Sequence, residues 1–149
     1  LLLYLDIIYS VELDQSMVQY IFTNWIDAKN TNVDMYKEAS SRFLSDDESS
    51  EGMQVIKLHR MIREMIEGLA VTVNTDGLYL NGELLGADAI SASMALASNK
   101  SMLETKSRVL EEYNALKNKH KKIEGAKSDK KKKEDEKGFD VDQYADKKE

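Results

Sequence analysis

"AVTVNTDGLYLNGELLG", residues 70–86, is where the period of this chain changes. Before it, apolar residues recur every three or four positions; within it they alternate, as they do on a strand with one face covered. Two turn signals divide the stretch. Asn-Thr-Asp-Gly at 74–77 is one, and Asn81-Gly82 is the other. Asn-Gly is the preferred pair for a two-residue hairpin because both positions need positive φ. The stretch therefore predicts a small antiparallel meander of three short strands. A meander this small is marginal alone in water and must lie on a helix or pair with another chain. An uncovered edge would invite a partner.

Upstream of the meander the pattern is helical. Asp14 is an N-cap candidate for a helix whose Val18, Ile21, Phe22, Trp25 and Ile26 share a face, ending near "AKNTN". Asp34 is read as the cap of a second, shorter helix with Met35, Ala39 and Phe43 on one side. The acids Asp46, Asp47, Glu48 and Glu51 precede the strongest helix, where they suit the positive end of its dipole. That helix carries Val55, Leu58, Met61, Ile62, Met65, Ile66 and Leu69 as a continuous stripe. Arg60 to Glu64 and Arg63 to Glu67 are expected as outward pairs. The first nine residues, "LLLYLDIIY", are too short an apolar run to span a bilayer and have no basic leader before them. They read as a buried first element or a partner-facing edge.

Downstream, Asp88 is expected to cap one long helix reaching about Ile123. Ala89, Ser93 and Ala97 form a small-residue stripe that would let another helix approach closely. Val109, Tyr113, Leu116, His120 and Ile123 alternate at four and three, the spacing of a coiled-coil seam. The register runs back through Lys106, Met102, Asn99 and Ala95, so the seam is short and interrupted by polar groups. The fold class is thus α+β and mostly α-helical: a helical N-terminal half, the meander, then a long C-terminal helix with a mixed-charge tail. Three regions are expected: an acidic helical and meander core at 1–98, a helical extension at 99–124 and a tail at 125–149.

Charge is unevenly distributed. Residues 1–98 hold six Lys or Arg against fifteen Asp or Glu, whereas 99–149 hold fifteen against twelve. Lys117, Lys119, Lys121, Lys122, Lys127, Lys130, Lys131, Lys132 and Lys133 are candidate contacts for a nucleic acid, which would gain affinity by counterion release. Against that reading, the basic block contains no arginine for bidentate recognition and no interleaved aromatic for stacking. Glu134, Asp135 and Glu136 follow at once. The closing "GFDVDQYADKKE" sets Phe139, Val141 and Tyr144 among acids, as in a segment that orders on a partner.

Recognisable chemistry is missing. There is no cysteine, so disulfides, thiolate metal sites and cysteine nucleophiles are ruled out. There is no proline, which favours long helices. His59 and His120 lie in no metal or catalytic motif, and Gly77, Gly82 and Gly86 fit neither dinucleotide nor Walker spacing. Residues 27–38 place Lys29 where a calcium loop needs an oxygen ligand. Asn99-Lys100-Ser101 matches a glycosylation acceptor inside an expected helix. No catalytic, cofactor or metal residue is assigned.

The expectation is a non-enzymatic structural or assembly protein: a subunit or adaptor in the cytoplasm, a virion or a secretion-type assembly, bound to other protein chains as a homo- or hetero-oligomer. Its expected contacts are Ala89, Ser93, Ala97, Met102, Val109, Tyr113, Leu116, Ile123, Phe139 and Tyr144. Accessory nucleic-acid binding through the lysines is the alternative. An enzyme would need a ligand-sized pocket holding His59 and convergent acids.

Overall fold

The computed structural model describes residues 1–10 and 12–135, with side chains to 123. Five α-helices and a three-stranded sheet follow in the order α1 (Gln15–Ala28), α2 (Asn30–Phe43), α3 (Glu51–Glu67), β1 (Thr72–Asn74), β2 (Gly77–Leu80), β3 (Glu83–Gly86), α4 (Ala89–Ser98) and α5 (Leu103–Asp135). The fold is α+β and mostly helical. The chain divides into two units, Leu1–Asn114 and Ala115–Glu149.

The first unit is organised by α3. Its N-cap is Ser50, whose hydroxyl accepts from the Met53 amide, and its inward stripe includes Val55, Leu58, Ile62 and Met65, the last two fully enclosed. α4 packs on α3 and against β3, burying Ala92, Ser93 and Leu96. Small side chains are what permit that approach. A Cβ on Gly86 would sit 2.7 Å from the Ala92 amide nitrogen, so β3 meets α4 backbone to backbone. Gly52 has the same role where α3 meets the end of α2: a Cβ there would lie 2.9 Å from the Phe43 Cα and carbonyl. Around that junction Ala39, Phe43 and Val55 form a cluster covered by Leu1, Tyr4, Leu5, Ile90, Met94 and Ala97.

The meander forms as its turn residues dictate. β2 pairs antiparallel with β1 on one side and β3 on the other, and Asn81 and Gly82 both take positive φ, 50° and 83°. An irregularity between Leu78 and Tyr79 leaves Leu85 as an extra residue on β3, buried with Leu78 and Leu80. The opposite face carries the Thr72, Tyr79 and Leu84 register pairs, with Leu84 half exposed.

Several expectations need correction. The expected single helix from Asp88 to Ile123 is two helices: α4 ends at Ser98 with Asn99 as its C-cap, a 3₁₀ turn covers Lys100–Met102, and α5 begins at Leu103. Asn99 causes the break, because its side chain accepts from the Ser101 amide and hydroxyl and so caps a new start. α2 starts at Asn30, placing Asp34 inside it. Asn32, not the exposed Met35, then joins Ala39 and Phe43 on the buried side. The Asn32 amide donates to the Trp25 carbonyl across the α1–α2 hairpin at 2.6 Å. The first nine residues form successive turns that bury Leu3, Ile7 and Ile8.

Leu69 is not part of the α3 stripe. It stands 89% exposed with φ 58°, one residue beyond the Gly68 C-cap. The Ala70 amide donates to the Met65 carbonyl and the Leu69 amide to that of Ile66. This is a Schellman ending with leucine where glycine fits best. Leu69→Gly should therefore stabilise the protein by about 1 kcal/mol, the left-handed penalty of a residue with a Cβ. A urea melt showing no gain or a loss would contradict that account of the α3 terminus.

Candidate functional site

The first turns of α5 are held to the first unit by a row of contacts. Val109 is fully buried. Glu83, at the start of β3, accepts from the Thr105 hydroxyl at 2.6 Å and pairs with Arg108 at 2.7 Å. One turn on, the Asn81 amide donates to Glu112 at 3.3 Å, and the Tyr113 hydroxyl donates to Glu64 at 2.8 Å. Glu64 is only 5% exposed and also accepts from Arg60 Nε at 3.1 Å. The sequence places Glu64 outside with its arginine. The arginine is indeed at the surface, and the carboxylate is drawn inward by a tyrosine 49 residues away. Arg63 does not reach for Glu67 but lies against the Tyr9 carbonyl and Asp6.

The small-residue stripe is used within the chain. Ser93 is fully buried and donates to the Ala89 carbonyl, while Ala97 packs on the Ala39–Phe43–Val55 cluster. Of the seam residues, Val109 belongs to the interior, Met102, Tyr113 and Leu116 are half-buried and Ile123 is 55% exposed. In the second unit the described side chains 115–123 are exposed except Leu116, so Lys117, Lys119, Lys121 and Lys122 project from one helix. Lys127 and Lys130 to Lys133 lie on the α5 backbone with side chains outside the described residues, as Phe139 and Tyr144 are altogether.

His59, expected to be partly exposed, is 5% exposed and meets the edge of Tyr4. It lines a cleft of about 380 Å³ with Leu1, Leu2, Leu3, Ile8, Ile56, Lys57 and Arg60. The residues that line that cleft include no carboxylate. Burial first, then Arg63 and the terminal ammonium, lower the His59 pKa to about 4 against the opposing pull of Asp6 and Asp88. Among the described residues, no three His, Asp or Glu side chains gather to hold a metal ion. None of the described helices is long and apolar enough to cross a membrane.

No known protein family, curated protein or solved structure matches the chain. The surfaces above are therefore weighed on their physical chemistry alone.

Two outcomes follow from this geometry. Glu83→Ala removes the acceptor of Thr105 and the nearer partner of Arg108, which keeps Glu104 at 3.5 Å. It should cost about 1–2 kcal/mol and speed amide exchange roughly tenfold in residues 103–113; unchanged exchange there would show that Glu83 does not hold α5. Because the folded pKa of His59 lies below its unfolded value near 6.5, its contribution is complete above pH 6.5 and is lost as pH falls towards 4. Urea unfolding should show a decline of about 2 kcal/mol between pH 7 and pH 4.5, and His59→Phe should flatten that slope.

Proposed function

We propose that this chain is a non-enzymatic assembly protein, a subunit or adaptor that joins other protein chains through the distal part of α5. The observation that carries this reading is the exposure of α5 beyond Asn114. A helix of 33 residues carries Ile123 at 55% exposure among exposed lysines. A helix polar on nearly all sides gains little from burial in its own chain, and such helices commonly bridge to something else. β1 adds a second adhesive feature: all three of its residues are exposed, Val73 by 59%. Its outer edge pairs with no other strand among the described residues. The tail at 136–149, with Phe139 and Tyr144, is assigned to the same work on composition alone.

A second reading, accessory nucleic-acid binding, is favoured by the exposure of Lys119, Lys121 and Lys122 on one short stretch of helix. Such binding would be non-specific and would weaken steeply with salt.

Light scattering on the full chain and on a Leu116→Glu/Ile123→Glu variant distinguishes these readings. The assembly reading expects species larger than a dimer in the first and their loss in the second; identical masses count against it. Fluorescence anisotropy with a short DNA duplex, at low and high salt, would support the second reading if a steep salt slope accompanied unchanged masses.

A further inference from the structure

α1 carries more apolar surface than the other described residues cover. At about 100° per residue, Val18, Phe22 and Trp25 lie towards one side, and α2 takes that side: the Phe22 and Tyr36 rings are 5.1 Å apart, and Asn32 donates to the Trp25 carbonyl. A second series follows beside it. Met17, Ile21, Asn24 and Ala28 are spaced four, three and four, the spacing of a helix–helix seam, with Tyr20 on its flank. None of its members is buried: Ile21 is half covered, Asn24 and Ala28 are exposed, Met17 is 46% exposed and Tyr20 66%. The apolar arc from Tyr20 round to Ile26 spans roughly 240°, about twice the stripe a helix needs for one neighbour.

We propose that this second seam is the contact face of a homodimer, in which α1 of one copy packs on α1 of another and the two α1–α2 hairpins close a four-helix bundle. Charge selects the second copy as occupant. Each chain carries a formal charge of −6, so two copies repel across most of their surface. α1 has one charged residue, Asp27, which lies outside the seam, and the whole hairpin from Gln15 to Phe43 is balanced, with three acids and three bases. This is a place where two acidic copies meet without opposing charge. An anionic lipid surface fits poorly, because α1 contains no lysine or arginine to meet the headgroups. Asn24 in the middle of the seam is the kind of polar mark that fixes register at some cost in affinity.

The available area sets the strength. A helix of 14 residues is about 21 Å long and with its flanks offers on the order of 500 Å² per copy, below the ~800 Å² of a standard interface. The dimer is accordingly weak, with a dissociation constant in the micromolar range. It uses a different element from the α5 assembly and does not rest on that reading.

Sedimentation equilibrium of the Leu116→Glu/Ile123→Glu chain, in which association through α5 is removed, tests the proposal from roughly 5 to 500 µM. The average mass should rise from 17.0 kDa towards twice that value. Adding Met17→Glu/Tyr20→Glu to that chain, at two exposed positions and with the circular dichroism spectrum unchanged, should keep it monomeric over the whole range. Asn24→Leu should tighten the dimer at least tenfold. Dimerisation of this chain, whose α5 surface is blocked, separates the α1 contact from the α5 assembly. A monomer at the highest concentration overturns the proposal. So does a dimer indifferent to the α1 variants, or one lost when the chain ends at Asp135. Co-sedimentation of the monomer with phosphatidylglycerol vesicles, abolished by Met17→Glu/Tyr20→Glu, would assign the seam to lipid instead.

Discussion

The packing of α4 on α3 is the constraint from which the rest of the first unit follows. Ile62 and Met65 of α3 are sealed, as are Ala92 and Ser93 of α4, and Gly86 lets β3 come up against Ala92 without a side chain between them. The meander can then lay Leu78, Leu80 and Leu85 on a finished helical surface. Fully enclosed side chains in such a contact tolerate little change in volume. Ser93 is the apparent exception to an apolar contact, and it is satisfied locally by the Ala89 carbonyl, so burying it leaves no unpaired hydroxyl.

α5 joins this core by different means. Beside the buried Val109, its first turns make a row of polar contacts, through Thr105, Arg108, Glu112 and Tyr113. Directional contacts fix register and orientation more than they add stability. The same helix then carries exposed lysines in the second unit.

How much of this was legible in the sequence depended on distance along the chain. The Asn81-Gly82 turn, the Asp14 and Asp88 caps and most of the α3 stripe were readable because each is decided within a few residues. The break at Asn99 was missed because neither Gly nor Pro marks it; the available clue was Ser101, two residues on, where an asparagine cap finds its donor. The start of α2 was missed because Lys29 makes no side-chain cap there. Burial of His59 and Glu64 was out of reach altogether. Tyr4 and Tyr113, which enclose and satisfy them, are remote in sequence, and an ionisable residue on a helix gives no sign of a distant partner. For the candidate surfaces, the pattern identified the small-residue stripe and the seam, but not that Ser93 and Val109 are consumed inside the chain.

The bond between Tyr113 and Glu64 spans 49 residues, while that between Thr105 and Glu83 spans 22. Contacts that close long loops form late, since chain entropy must be lost before they return anything. During synthesis the α1–α2 hairpin, α3 and the meander can all assemble as they emerge, N-terminal parts first. Glu64 nevertheless waits for its tyrosine until the start of α5 has been made. A nascent chain halted before that point would hold its interior acid without the tyrosine hydroxyl, so maturation of the core is tied to translation of the start of α5.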